Sequence, residues 1–139
     1  MNSEKTISSF KSRKVLVSVL LTLVVAVTLC TYYFWYNTPD KTLERYLTLV
    51  INKQGDQAYD YVYKDDSSYY PELEKFLQSA TRTKLIDFKM LGYTPVDDSK
   101  TDVKVLLKFE DKIEKEKTFL LKKASGNWKI VLRGANGNS

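Results

Sequence analysis

Residues 38–63, TPDKTLERYLTLVINKQGDQAYDYVY, contain the clearest helix signals of the chain. Thr38 and Pro39 predict a helix start, because a hydroxyl side chain can cap the first turn and proline is tolerated at the first helical position. Apolar residues follow at positions 43, 46, 47, 50 and 51, which is the spacing of one buried helix face. We expect this helix to end at Gly55 and a second short helix, capped by Asp56, to follow it.

The residues that follow this stretch predict one more helix and then four strands. Pro71 precedes apolar residues at helical spacing, and after residue 83 the apolar period changes to two. Alternating patterns lie in residues 86–90, 103–109, 117–123 and 128–132, and a tight turn is predicted around Gly126. About three helices on an antiparallel sheet of four strands make an α+β domain.

The alternation also predicts which side chains fill the core. We expect Ile86, Phe88 and Met90 to face inward on the first strand, and Asp87 to point away from the core. Phe119 and Leu121 should face inward on the third strand. Trp128 has the same parity as Ile130 and Leu132, so we expect it to be buried against the first of the three helices.

A long apolar run precedes this domain. Residues 15–36 contain 22 residues without a charge, which as a helix would span about 33 Å and match a hydrocarbon layer of about 30 Å. The run ends in five aromatic residues suited to the headgroup region, and residues 1–14 carry a net charge of +3. This pattern predicts a cytoplasmic tail (1–14), a transmembrane signal anchor (15–36) and an extracytoplasmic domain (37–139) in the cell membrane.

The single cysteine, Cys30, allows two other interpretations of the run. It could carry a lipid or follow a removed secretion signal. A lipoprotein signal needs a small residue before the cysteine, and Leu29 is large. An ordinary cleaved signal has a shorter apolar region than this one. We therefore favour an uncleaved anchor in which Cys30 is one more apolar residue.

Composition excludes several classes of site. The chain has no histidine and one cysteine, so an internal disulfide and a metal site built from several such ligands are impossible. Neither a Ser-His pair nor a phosphate-binding glycine loop is present. The net charge of +5 is concentrated in residues 1–14, and the near-neutral remainder argues against a nucleic-acid partner. We predict no cofactor and no metal.

The tyrosine-rich stretch YDYVYKDDSSYY (residues 59–70) is the main candidate for a binding surface, because tyrosine is favoured at interfaces. The alternative is that these tyrosines bury their rings while residues 65–68 form a solvated turn. An acid–base pair could only come from Asp87 with Tyr93, or with Tyr59 or Tyr63. The candidate ligand or partner surface therefore comprises Tyr59, Tyr63, Tyr69, Tyr70, Asp87 and Tyr93.

The order of these parts resembles the nuclear transport factor 2-like superfamily over about residues 38–133. The resemblance is carried by the link in residues 52–59, NKQGDQAY, and by the final hairpin GNWKI in residues 126–130. It implies a cone-shaped domain, and in particular a small membrane-tethered bacterial version of the DUF4878 kind. Such domains accompany some penicillin-binding proteins and form parts of secretion and conjugation machines. The fold is shared with isomerases and dehydratases, so it does not decide the function.

Two functions follow from this resemblance. The first is a non-catalytic binding or assembly domain, an accessory part of a cell-envelope or secretion complex, whose partner is another envelope protein or a second copy of the chain. The second is a small-ligand or enzymatic cone of the isomerase or dehydratase type. An open apolar pocket containing a carboxylate would favour the second, and a cone filled by its aromatic side chains would favour the first.

The anchor interpretation makes a prediction for Cys30. Cys30→Ser should leave the size of the protein and its membrane association unchanged, because Leu29 does not fit a lipoprotein signal. Gel mobility, metabolic lipid labelling and membrane fractionation of both forms measure this. A lipid label that disappears in Cys30→Ser would contradict it.

Overall fold

The computed structural model describes residues 3–65 and 70–132, and the chain divides into two compact units, residues 1–36 and 37–139. The first unit contains helix α1 (Ser3–Tyr36). Its segment Ser12–Tyr36 is long and apolar enough to cross a membrane. Hydroxyls of Thr22, Thr28 and Thr31 donate to carbonyls one turn back, which removes free donors from this segment.

The second unit places three helices before a four-stranded sheet. The helices are α2 (Pro39–Ile51), α3 (Gly55–Tyr59) and α4 (Leu73–Arg82). The strands are β1 (Leu85–Asp97), β2 (Lys100–Phe109), β3 (Glu114–Ala124) and β4 (Asn127–Val131). All neighbouring strands are antiparallel and follow the order β1-β2-β3-β4. The α+β prediction is confirmed.

Helix α2 starts where the sequence predicts and ends earlier. Pro39 is its first residue, but the Thr38 side chain makes no capping hydrogen bond, and its carbonyl accepts from the Thr42 N–H at 3.0 Å. After Ile51, Lys53 has a φ of 59° and the Gln54 N–H donates to the Leu49 carbonyl at 2.9 Å. This bond closes the helix end, so the predicted end at Gly55 is wrong.

Gly55 instead begins α3 and allows two helices to approach closely. It is buried, and a Cβ added there would lie 3.0 Å from Leu77 Cδ2 and 3.3 Å from the Ala80 Cβ of α4. Asp56 lies inside α3, whose N-cap is Gln54 without a side-chain cap. A side chain larger than hydrogen at position 55 would therefore push α4 away from α3.

The core lies between α2 and one face of the sheet, which we call the inner face. Leu43 of α2 and the strand residues Val103, Val105, Leu121 and Ile130 are all 0% exposed. Phe119 is also buried, so the inward prediction for Phe119 and Leu121 is confirmed. Helix α4 adds Phe76 and Ala80, and the short segment after α3 adds Val62.

Strand β1 is interrupted by three bulges. The pairing with β2 shifts between Leu85 and Asp87, between Met90 and Gly92, and between Pro95 and Asp97. The extra residues are Ile86, Leu91 and Val96, which are 52%, 42% and 57% exposed. Ile86 is therefore outside the core and the prediction that it faces inward is wrong, because a bulge resets the alternation. Leu85 is the buried residue in its place.

Trp128 is half-buried at the margin of the core, so the prediction that it is buried is wrong. It lies opposite Lys123 in the β3–β4 hairpin, two residues from the turn at Gly126. The Lys123 Nζ lies 5.0 Å from the centre of the Trp128 ring. Close to a hairpin turn a side chain has few neighbours along its own sheet, which leaves one side of the indole open.

This difference in burial predicts different energetic effects. Leu121→Ala should lower the free energy of unfolding by about 2–5 kcal/mol, because it opens a cavity at a fully buried site. Trp128→Ala should have a smaller effect, since part of the ring already contacts solvent. Denaturant unfolding of both variants measures the difference, and a larger loss for Trp128→Ala would contradict it.

Candidate functional site

A short segment after α3 extends the sheet beyond β4. Val62 forms a parallel bridge with Ile130, the Tyr63 N–H donates to the Ile130 carbonyl at 2.8 Å, and the Ile130 N–H donates to the Tyr61 carbonyl at 2.7 Å. Val62 is 2% exposed and faces the core. Because side chains alternate along an extended segment, Tyr63 lies on the opposite side, the outer face of the sheet. Tyr61 is a turn residue that packs against the margin of the core.

Three lysines lie opposite one another on the same outer face. Lys100 of β2 pairs with Lys122 of β3, and Lys122 pairs with Lys129 of β4. Their chain neighbours Thr101, Leu121 and Ile130 are buried, so the lysines point outward. Side chains directly opposite in an antiparallel pair start only about 4.5–5.5 Å apart, and like charges there are destabilising. We call these three residues the lysine row.

Tyrosine rings adjoin the lysine row. The Lys122 Nζ lies 5.3 Å from the centre of the Tyr63 ring, and the Lys129 Nζ lies 5.9 Å from that of Tyr61. An exposed cation–ring contact contributes about 0.5–1 kcal/mol. The lysine row together with Tyr63, and with the Tyr61 ring at its margin, combines positive charge with amphipathic rings. We call this the basic-aromatic surface.

Carboxylates balance only part of this charge. Lys100 lies 3.3 Å from Asp97, and hydrogen bonds from Ser99 together with Lys100 lower the pKa of that carboxyl group. The Tyr63 hydroxyl donates to Asp65 at 2.9 Å, and this bond raises the pKa of Tyr63. Within residues 12–65 and 70–132, no carboxylate lies within 4 Å of Lys122 or Lys129. Lys129 instead donates to the Asp60 backbone carbonyl at 2.6 Å.

Tyr59 differs from Tyr63 because it is part of the packing. The centre of its ring lies 5.2 Å from that of Phe76, and its hydroxyl donates to the Pro71 carbonyl at 2.9 Å. The Lys64 Nζ lies 3.8 Å from the centre of the Tyr59 ring. Burial, with a contribution from the charge of Lys129, lowers the pKa of Lys64. The Phe76 ring also packs against the ring of Tyr46. Burial raises the pKa of Tyr46 to about 12. Tyr59 thus connects the helices.

The other predicted site residues do not converge. Asp87 is exposed, and its carboxylate accepts the Phe88 N–H at 2.9 Å. Tyr93 is 54% exposed and lies opposite Val103, whereas Asp87 lies opposite Lys108 near the other end of β1. Tyr70 is 37% exposed, and Tyr69 lies outside the described residues. Among the candidates that the structure describes, Tyr63 lies on the basic-aromatic surface and Tyr59 packs against Phe76 of α4.

One hollow of about 250 Å³ lies at the end of β4, away from these residues. Asp102 and Lys117 contribute polar groups, and Phe119, Leu120 and Leu132 are among its apolar walls. Described residues contain no cluster of three or more acids, cysteines or histidines that could hold a metal ion. The hollow contains none of the predicted site residues.

Sequence reasoning missed the lysine row, although the chain contains a signal for it. The predicted turn at Gly126 fixes the pairing of the last hairpin, and a two-residue turn at Ser125 and Gly126 places Lys122 opposite Lys129. Both turn residues have positive φ, 50° and 80°. The contribution of Lys100 needs the β2–β3 register as well, which no local pattern provides.

Comparisons with known proteins support the fold. No family model matches the chain, and no curated protein matches it. Among solved structures, a protein from Campylobacter jejuni named as an NTF2-like transpeptidase is 13% identical with a TM-score of 0.55, and the match covers 69% of this chain and 99% of that one. A SEC-C motif containing protein from Rhodopseudomonas palustris, RPA3114, has the same identity and TM-score, over 69% of this chain and 77% of that one.

A third similar structure is an NTF-2 like protein of unknown function from Shewanella oneidensis, with 13% identity, a TM-score of 0.46, and coverage of 66% of this chain and 89% of that one. Likeness at this level of identity concerns the fold. The order of helices and strands and the likeness to the Campylobacter jejuni structure support a nuclear transport factor 2-like fold for the second unit.

Proposed function

We propose that the chain is a single-pass membrane protein whose C-terminal unit is an extracytoplasmic, non-catalytic binding or assembly domain. Its partner is another envelope protein or a second copy of the chain. The observation that carries the proposal is the pairing of an apolar helix with a folded unit that has a large exposed apolar strip of its own.

The helix supports the membrane part of the proposal. Large apolar side chains are exposed all along its span, from Val15 at 63% to Trp35 at 75%. Such a helix, apolar on every side, is stable when lipid surrounds it. The positive charges of residues 11–14 precede the span, which favours a cytoplasmic N-terminus.

The strip on β1 supports the assembly part. The bulge residues Ile86, Leu91 and Val96 and the neighbouring Tyr93 are 42–57% exposed on an edge strand. Large apolar side chains exposed along one edge strand offer a surface for a protein–protein contact. We call these four residues the β1 strip. A second copy of the chain or another envelope protein would cover it.

The arrangement of the acids supports a non-catalytic domain over the alternative of an isomerase or dehydratase cone. Catalysis in such a cone needs a carboxylate held among apolar walls, so that burial adjusts its pKa. Asp87 is exposed instead. Asp102, the acid of the hollow at the end of β4, alternates with buried Thr101 and Val103 and therefore lies on the outer face of the sheet. Fully buried residues such as Val103 and Leu121 occupy the space between α2 and the sheet. Membership of the DUF4878 kind and of a secretion complex stays a prediction.

Topology can be tested with engineered cysteines, because Cys30 is the one native cysteine. In a Cys30→Ser background, Glu74→Cys on exposed α4 should react with a membrane-impermeant maleimide in intact or wall-stripped cells. Ser3→Cys should react only after permeabilisation. The reverse pattern would contradict the orientation, and a mature chain starting near residue 30 would contradict the uncleaved anchor.

The assembly proposal predicts different effects for two neighbouring positions. Leu91→Glu should reduce the size of the native complex and fail to complement a strain lacking the protein, because it charges the β1 strip. Asp87→Asn, on the same strand, should retain both properties. Native gels and complementation measure this, with thermal unfolding to confirm that both variants fold. A folded Asp87→Asn variant without function would favour a catalytic carboxylate instead.

A further inference from the structure

We infer that the basic-aromatic surface is a second membrane contact, which binds the anionic phospholipid headgroups of the bilayer that anchors the chain. This inference rests on the membrane anchoring proposed above and adds a ligand that the assembly function does not require. Three observations support it. They are the short connection between the span and the second unit, the position of the β3–β4 turn, and the positive charge of the hairpin.

The connection to the span is very short. Tyr36 ends the candidate span and Pro39 begins α2, so only Asn37 and Thr38 lie between them. Three residue steps reach at most about 10 Å when fully extended. Chain connectivity therefore keeps the start of the outer unit within about one headgroup thickness of the bilayer, whatever its orientation.

One hydrogen bond places the β3–β4 turn at this point. The Asn37 side-chain amide donates to the Gly126 carbonyl at 2.8 Å, across 89 residues of sequence. Lys122 and Lys129 lie three or four residues from Gly126 on the two arms of the hairpin, about 10–13 Å along the strands. The Debye length at physiological salt is about 8 Å, so the two lysines reach the field of a charged bilayer when the arms of the hairpin lie along its surface.

The chemistry of the hairpin fits a headgroup layer. Lys122 and Lys129 present positive charge on the outer face with the Tyr63 ring beside them. Lys123 and half-buried Trp128 lie on the inner-face side of the same hairpin, next to the turn. Tyrosine and tryptophan are enriched at membrane–water interfaces, where one end of the ring is apolar and the other wet. Each lysine near an anionic bilayer increases binding by about fivefold. The phosphate diesters of anionic lipids carry the negative charge that the lysines would bind, and they lie in the interfacial layer that suits the rings.

The test uses the full chain in lipid nanodiscs, with Trp128 as a reporter of how closely the β3–β4 turn approaches the bilayer, because Trp128 lies two residues from Gly126 on the inner-face side of the hairpin. Trp35→Phe leaves Trp128 as the single tryptophan, since the chain has two. Its fluorescence should be quenched by lipids with a headgroup spin label when the disc contains phosphatidylglycerol. Quenching should be weaker in pure phosphatidylcholine and should fall when salt is raised, because screening shortens the range of the lysines.

Matched variants assign the effect to the lysine row. Lys122→Gln with Lys129→Gln should shift the docked-to-undocked ratio by on the order of twentyfold toward undocked. Lys89→Gln with Lys115→Gln removes the same charge elsewhere on the sheet and should leave quenching unchanged. The lipid and salt dependences of the chain with Trp35→Phe alone test the inference even if the first variant folds poorly.

The outcomes separate this inference from the anchoring proposal. A chain that fails to remain in discs would contradict the anchor. A chain that remains, but whose Trp128 is equally quenched in both lipids or unquenched in both, would overturn headgroup binding and leave the anchor intact. If soluble poly(glycerol phosphate) changes Trp128 emission while phosphatidylglycerol does not, the surface binds an anionic polymer and the lipid inference is wrong.

Discussion

The packing of α2 against the inner face of the sheet is the contact on which the second unit, residues 37–139, depends. Helix α2 contacts β1, β2 and β4, and its residue Leu43 is fully buried with Leu121 and Ile130 of the strands opposite. Burial of each such side chain contributes about 1.5–3 kcal/mol, which is substantial beside a typical total stability of about 5–15 kcal/mol. Helix α2 begins two residues after the apolar helix. The start of α2 and the Gly126 turn, which is bonded to Asn37, are therefore the parts of the domain nearest to residues 37 and 38.

The two edges of the sheet are protected in different ways, and the difference determines which surfaces stay available. Beside β4, the segment around Val62 donates and accepts hydrogen bonds with Ile130, so backbone pairing continues. Along β1, three bulges and Pro95 disturb the regular pairing that another strand would need. The bulges still leave apolar side chains exposed on that edge. An interaction there would therefore depend on side-chain packing more than on strand addition.

The sequence patterns correctly predicted the features that depend on residues close together in the chain. Alternation correctly assigned Phe119 and Leu121 to the core because β3 pairs with β2 without a register shift. It failed at Ile86, because a bulge is a property of the pair of strands and leaves no periodic signal. Gly55 was misread as a helix end because the close approach of α4 that requires it lies more than twenty residues away. For the site, Tyr63 was within reach of sequence reasoning, whereas Lys100 joins it only through the β2–β3 register.

The charges on β2 and β3 are arranged differently at their two ends. At one end Lys108 lies opposite Glu114, with 3.4 Å between the charged atoms, which is the complementary arrangement for a cross-strand pair. At the other end Lys100 lies opposite Lys122, which in turn lies opposite Lys129. Exposed ion pairs contribute only about 0–1 kcal/mol, so folding places a weak demand on either arrangement, and a glutamate at position 122 would have satisfied it better. The repulsive arrangement is confined to the end where Asn37 holds the β3–β4 turn. An anionic ligand at that end would relieve the repulsion, which makes the row more favourable in the bound state than in the free one.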